Sequence, residues 1–200
     1  MKSKLFLSID YSQIKDGIDA ILENIDLIDG VVCGNNLIYG YGIIAIKMLD
    51  KHTQKIDLIA DAKMPVYILE KCQDMFYESG ANSITITGSD EDINSNYQID
   101  YSKVDLIVDQ SLTIKTIDLL KRRNIKRVYY NRDYNNLTVD KRKITSLSDA
   151  GIETLLDMND IRDLKQWKGI KIGAFIVSSS QNDYQKLLKE LRQELDKDDA

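Results

Sequence analysis

Eight short runs of apolar, mostly β-branched residues recur along the chain, and each is followed by a longer segment of helical period. The runs are Lys4–Ile9, Leu27–Cys33, Ile56–Ala60, Ser83–Thr87, Val104–Val108, Arg127–Tyr130, Ile152–Leu156 and Lys171–Val177. Most are apolar at successive positions. That is the pattern of a strand covered on both faces, and such strands belong to parallel sheets flanked by helices. An open doubly wound sheet uses the same unit. Eight near-equal units in 200 residues, with none left over, favour closure into one (β/α)8 TIM barrel. The domain is expected to span residues 1–195, with a frayed acidic tail at 196–200.

The segments between the runs carry helix signals. Ser12 is placed to cap a helix presenting Ile14, Ile18, Ile21 and Leu22 on one face. A later helix aligns Ile68, Leu69, Cys72, Met75 and Phe76, and Thr113 precedes a helix carrying Ile117, Leu119 and Leu120. The last helix turns Tyr184, Leu187, Leu188 and Leu191 inward. Gly80, Gly151 and Gly169 sit where helices end. The fourth unit is the weakest, because Asp90 to Lys103 is polar and suits only a short or irregular helix.

Charge and composition narrow the function classes. Charged residues make up 30% of the chain with a net charge of −5, and no basic stripe marks a nucleic-acid partner. No stretch is long and apolar enough to cross a membrane, and the apolar start is broken at Asp10, too early for a signal peptide. Cys33 and Cys72 lie in apolar segments and read as buried free thiols of a cytoplasmic protein.

A barrel carries its chemistry at the C-terminal ends of its strands. Polar residues gather there: Asp10, Asn35, Asp61 with Lys63, Asp90, Asp109, Asn131-Arg132-Asp133, Asp157 and Ser178-Ser179-Ser180. Asp90, Ser111, Asn159 and Ser180 are accounted for as helix caps. Asp61 and Lys63 are two apart, so a strand points both to one side. With Asp10 they form an Asp–Lys–Asp cluster able to stabilise an enediolate oxygen or bind a sugar hydroxyl. Asp109, Asp133 and Asp157 add to an acidic mouth suited to a metal or a cation. His52 falls at the opposite, N-terminal face, and Trp167 is expected to pack. Tyr129 and Tyr130 are expected to divide between the core and the helices.

Three segments, Leu7-Ser8-Ile9-Asp10, Ile28 to Ile38 and Ala60-Asp61-Ala62-Lys63, together resemble the orotidine-monophosphate-decarboxylase superfamily. The likeness is to its branch of hexulose-6-phosphate synthases and 3-keto-L-gulonate-6-phosphate decarboxylases. It implies a barrel of the ribulose-phosphate-binding type, a homodimer, a ketose-phosphate substrate and magnesium as cofactor. It would make Asp10, Asp61 and Lys63 catalytic, with Asp61 also the metal ligand. Asn35, Arg132, Asp133, Ser178 and Ser179 would bind substrate.

Five elements of the family pattern are altered. Val32 stands for the second-strand acid, Val66 for the last acid of Asp-x-Lys-x-x-Asp, and Asn131 for the proton-carrying histidine. Asp157-Met158 replaces the glycine pair that offers amides to phosphate, and Ser178-Ser179 replaces the Gly-Arg after strand eight. Asparagine carries no proton at neutral pH, and a carboxylate repels phosphate. Two expectations follow: a lyase acting on a ketose phosphate through an enediolate, or a catalytically degenerate barrel kept as a binding or regulatory protein.

Overall fold

A computed structural model of the chain describes residues 3–197 apart from 55 and 134. Eight parallel strands close into one barrel in sequence order. They are β1 (Lys4–Ile9), β2 (Gly30–Cys33), β3 (Asp57–Pro65), β4 (Ser83–Thr87), β5 (Val104–Val108), β6 (Arg127–Tyr130), β7 (Glu153–Asp157) and β8 (Ala174–Ser178). β1 pairs with both β2 and β8, which closes the ring. The helices are α1 (Ile14–Asn24), α2 (Asn35–Tyr41), α3 (Ile43–Thr53), α4 (Val66–Glu78), α5 (Asp90–Asn94), α6 (Ile114–Arg122), α7 (Leu137–Asp149), α8 (Ile161–Gln166) and α9 (Tyr184–Lys197). Among the described residues, no helix is long and apolar enough to cross a membrane.

The barrel is predicted correctly, and several boundaries move. β2 begins at Gly30 because its pairing with β1 starts at Phe6↔Gly30; Leu27 lies in the preceding turn, its amide bonded to the Asn24 carbonyl. β3 runs on to Pro65, with its register against β4 shifting between Ala60 and Met64. α9 continues through Asp196 and Lys197, so the expected tail starts as helix, and residues 198–200 lie outside the described residues.

Capping signals fall one or two residues from their expected places. Gln13, not Ser12, is the N-cap of α1, and it offers no side-chain bond. Ser89 caps α5 in a reciprocal box with Asp92, and Asp160 caps α8. Thr113 caps α6 as expected. The fourth unit is a five-residue helix followed by a 3-10 turn at Tyr101–Lys103. Gly80, Gly151 and Gly169 take left-handed backbone beyond α4, α7 and α8.

Two apolar layers form. The larger lies between sheet and helices. The smaller fills the barrel axis with Phe6, Val32, Ile59, Leu155, Ala174 and Ile176, and Tyr129 packs on it. Gly30 makes room for that plug, since a Cβ there would stand 2.8 Å from the Phe6 ring. Some expected core residues face outward instead. Leu22 is 51% exposed, Ile68 41% and Met75 49%. Cys33 is buried and Cys72 half-buried, and both are free.

Ions seal the floor of the barrel. The Arg127 guanidinium meets Asp105 with Nε 2.7 Å from Oδ1 and Nη2 3.0 Å from Oδ2, and it donates to Ser83 Oγ at 2.7 Å. Asp57 joins the cluster 3.7 Å from Arg127 and 2.8 Å from Lys4.

Candidate active site

A cavity of about 230 Å³ opens at the C-terminal mouth, and its walls include Asp10, Asn35, Asp61, Lys63, Tyr129, Asp157 and Ser178. Strands β1, β3, β6, β7 and β8 contribute residues directly, and the residues that follow β1 and β2 complete the wall. The three expected residues Asp10, Asp61 and Lys63 are thus brought together.

Asp61 is buried, and its neighbours fix both of its oxygens. Thr85 donates its hydroxyl to Oδ1 at 2.7 Å, and the Lys63 ammonium lies 3.3 Å from Oδ2. The same Thr85 oxygen accepts from the Lys63 amide at 3.0 Å. Strand alternation is not what unites Asp61 and Lys63. Lys63 sits in left-handed backbone, φ 48°, where the β3 register is broken. Thr85 holds that irregular turn from the neighbouring strand. Burial pushes the Asp61 carboxyl above its ordinary range, against the opposing pull of Thr85 and Lys63, and Asp10 adds to the rise.

Asp10 is anchored to the start of α2. Its oxygens accept from the Asn36 backbone N at 2.8 Å and from Asn36 Nδ2 at 3.1 Å. Gly34 permits this approach, because a Cβ there would stand 2.5 Å from Asp10 Oδ1. Asn35 lines the cavity, and its Oδ1 has no hydrogen-bond partner among the described residues.

Across the cavity, Tyr129 donates its hydroxyl to Asp157 Oδ1 at 2.6 Å. Burial raises the Asp157 carboxyl, the Tyr129 bond opposes that rise, and smaller contributions come from Asp61, Lys63 and Arg132. On the outer face of β2 the Cys33 thiol is pushed up to about 12, mainly by burial, with smaller contributions from Asp10 and Asp61. It stays a neutral, unreactive thiol.

The remaining expected residues lie at the edge. Ser178 reaches the cavity, with its hydroxyl paired to Ser180 at 2.7 Å. Ser179 is buried beside it, its amide bonded to the Ser8 carbonyl. Arg132 does not line the cavity; its Nη2 lies 2.8 Å from Asp163 Oδ2 on α8. Asp133 is exposed in a turn and accepts from the Asn135 amide. Asp109 lines a separate cavity of about 400 Å³ with Ser89, Asp90, Thr113 and Asn131. His52 ends α3 at the opposite face, as expected.

Thr85 and Tyr129 are the site residues that sequence reasoning missed. Ser83-Ile84-Thr85-Ile86-Thr87 alternates strictly, and that alternation marks Thr85 as facing the axis. Tyr130 turns outward to Asp140 and Tyr129 inward, so the expected division holds, but Tyr129 does more than pack.

The residues present do not fit a magnesium ion. Both Asp61 oxygens already face Thr85 and Lys63, and Val32 belongs to the apolar plug. Among the described residues, no three His, Cys, Asp or Glu side chains gather as a metal set. Lys63 provides a positive charge beside Asp61 instead.

Fold and mouth together define the class: a (β/α)8 barrel with an ionisable site above its strands. Among solved structures, the chain is similar to 3-keto-L-gulonate-6-phosphate decarboxylase from Vibrio cholerae, with a TM-score of 0.80 at 20% identity over 98% of this chain and 99% of that one. It is similar to the Streptococcus mutans decarboxylase in complex with a sugar phosphate, with a TM-score of 0.79 at 15% identity over 98% of each chain. It is also similar to 3-hexulose-6-phosphate synthase from Salmonella typhimurium, with a TM-score of 0.72 at 16% identity over 96% of this chain and 98% of that one. At these identities the shared property is the fold. No protein-family model and no curated protein matches the sequence.

Proposed function

We propose that the barrel mouth is the active site of a carbon–carbon lyase acting on a ketose phosphate through an enediolate. The observation that carries this reading is the Lys63 ammonium, held in the cavity 3.3 Å from a buried Asp61 that Thr85 locks in place. Charge develops on the substrate oxygen as the carbon–carbon bond breaks. A preorganised cation in a partly enclosed site stabilises that charge more than water does. Asp61 orients the lysine, and Asp10 and Asn35 offer acceptors to sugar hydroxyls. The likeness to a decarboxylase in complex with a sugar phosphate supports the substrate class. The ligand set argues for turnover without magnesium.

A homodimer belongs to the same reading. Tyr39 on α2, Ile44 on α3 and Tyr67 and Ile68 on α4 are large apolar side chains left exposed, Tyr39 at 75% and Ile44 at 59%. The free thiols Cys33 and Cys72 suit a reducing cytoplasm.

The test is release of a one-carbon fragment from 3-keto-L-gulonate 6-phosphate and from a 3-hexulose 6-phosphate, with and without EDTA. Turnover that survives EDTA and falls about 10²–10³-fold in Lys63→Ala supports the proposal. Equal rates in wild type and variant overturn it.

One observation favours a second reading. Asp157 stands in the cavity, and the Ser178 and Ser180 hydroxyls are bonded to each other, which weakens the hold on a phosphate dianion. A catalytically silent binding or regulatory barrel would be stabilised by sugar ligands and turn none over.

A further inference from the structure

Strand β6 turns Tyr129 to the barrel axis, and β7 ends at Asp157 on the same axis. The two meet at 2.6 Å and share one cavity with Lys63, Asp61 and Asp10. Asn131, the residue that follows β6, lines the neighbouring cavity and cannot titrate near neutrality. Enediolate chemistry ends with a proton delivered to carbon, and Asp157 is the carboxyl of this cavity that faces a phenol, where Asp61 faces Lys63 and Asp10 faces Asn36.

We propose that Asp157, oriented by Tyr129, carries the proton to and from the substrate carbon. This rests on the reading of the mouth as an enediolate site. In the cleavage direction, the electron pair of the broken carbon–carbon bond remains on the ketose fragment as the enediolate. The neutral Asp157 carboxyl then gives its proton to the terminal carbon while the carbonyl re-forms. The carboxylate left behind keeps the Tyr129 hydrogen bond, and water returns the proton. In reverse, the carboxylate removes a proton from the carbon beside the carbonyl, and Lys63 faces the resulting oxyanion.

The surroundings suit that exchange. Burial favours the neutral acid, and Tyr129 stabilises the conjugate base. Asp61 and Lys63 act on Asp157 from β3, and Arg132 acts from the segment after β6. The Tyr129 hydrogen bond at 2.6 Å holds the carboxyl in one orientation, so that its other oxygen is the one free to exchange a proton with substrate. Tyr129 is a positioning residue: a phenol that lost its own proton beside a carboxylate would place two negative charges together.

Deuterium incorporation at C1 of D-ribulose 5-phosphate, followed by NMR in D2O, tests the assignment. Wild type is expected to exchange. Asp157→Asn is expected to lose exchange by about 10²-fold or more while still being stabilised thermally by the sugar phosphate. Tyr129→Phe is expected to keep exchange but to move the acid limb of its pH profile upward, since the bond it removes lowers the Asp157 value. Normal exchange in Asp157→Asn alongside loss in Lys63→Ala would overturn the proton-carrier assignment and leave the enediolate site standing. An unmoved acid limb in Tyr129→Phe would also overturn the assignment. Wild type that neither binds nor exchanges would overturn both.

Discussion

Lys63 sets its ammonium 3.3 Å from the Asp61 carboxylate while its own backbone is left-handed, at φ 48°. A left-handed non-glycine residue costs on the order of 1–2 kcal/mol. Strain of this kind gathers at functional sites and persists only where neighbours over-determine it. Thr85 is the neighbour responsible: its one oxygen bonds both the Lys63 amide and Asp61.

Replacing that hydroxyl with a methyl group tests the linkage. Thr85→Val keeps the side-chain shape and strips a donor from a buried carboxylate. Leaving such a group unsatisfied costs about 1–3 kcal/mol, which urea unfolding would read. An unchanged midpoint would show that Thr85 merely fills space.

Asp157 makes a prediction about pH. Its folded pKa is raised, so the folded chain holds that proton more tightly than the unfolded chain does. The stability it contributes is present below the ordinary carboxylate value and is lost as pH rises through the folded value. At neutral pH the wild type therefore carries a cost, because the unfolded chain ionises Asp157 more readily than the folded chain does. Asp157→Asn removes that cost and keeps an oxygen for Tyr129. The variant is expected to melt above wild type at neutral pH, with the difference closing by about pH 3. A variant that melts lower at neutral pH would contradict this.

The floor of the barrel makes a purely structural prediction. Arg127→Met leaves Asp105, buried within the barrel, without its bidentate partner. Removing one member of a buried pair costs about 3–5 kcal/mol. Chemical denaturation should show that loss, and a change under about 1 kcal/mol, within the ordinary range of an exposed pair, would contradict it.

The exposed apolar surface predicts association. Ile44→Asp places a charge on α3, which packs against the helices that carry exposed Tyr39, Tyr67 and Ile68. Sedimentation should report a dimer for wild type and a monomer for the variant, with little change in monomer fold. A wild type that is monomeric at all concentrations would remove the dimer from the account.

The barrel was legible because parallel strands buried on both faces leave long apolar runs, and eight of them repeat. Asp10, Asp61 and Lys63 were legible because charged residues directly after such runs have few structural excuses. Less visible were contacts that cross strands. Thr85 reads as an ordinary β-branched strand residue until its register against β3 is known. Tyr129 and Asp157 are 28 residues apart in sequence, and only the β6–β7 pairing brings them together. Outward-facing Ile68 and Met75 were misread because a helix stripe gives the period of its apolar residues but not whether a second surface covers them.

The most direct measurement is thermal unfolding of wild type and Lys63→Ala with D-ribulose 5-phosphate. A ligand at one hundred times its dissociation constant stabilises by about 2.7 kcal/mol, a rise of roughly 5–10 °C for a chain of this size. The account predicts that rise in wild type, with or without EDTA, and its loss in Lys63→Ala. No rise in wild type at millimolar ligand, or the same rise in both proteins, would contradict the claim that this mouth holds a ketose phosphate through Lys63.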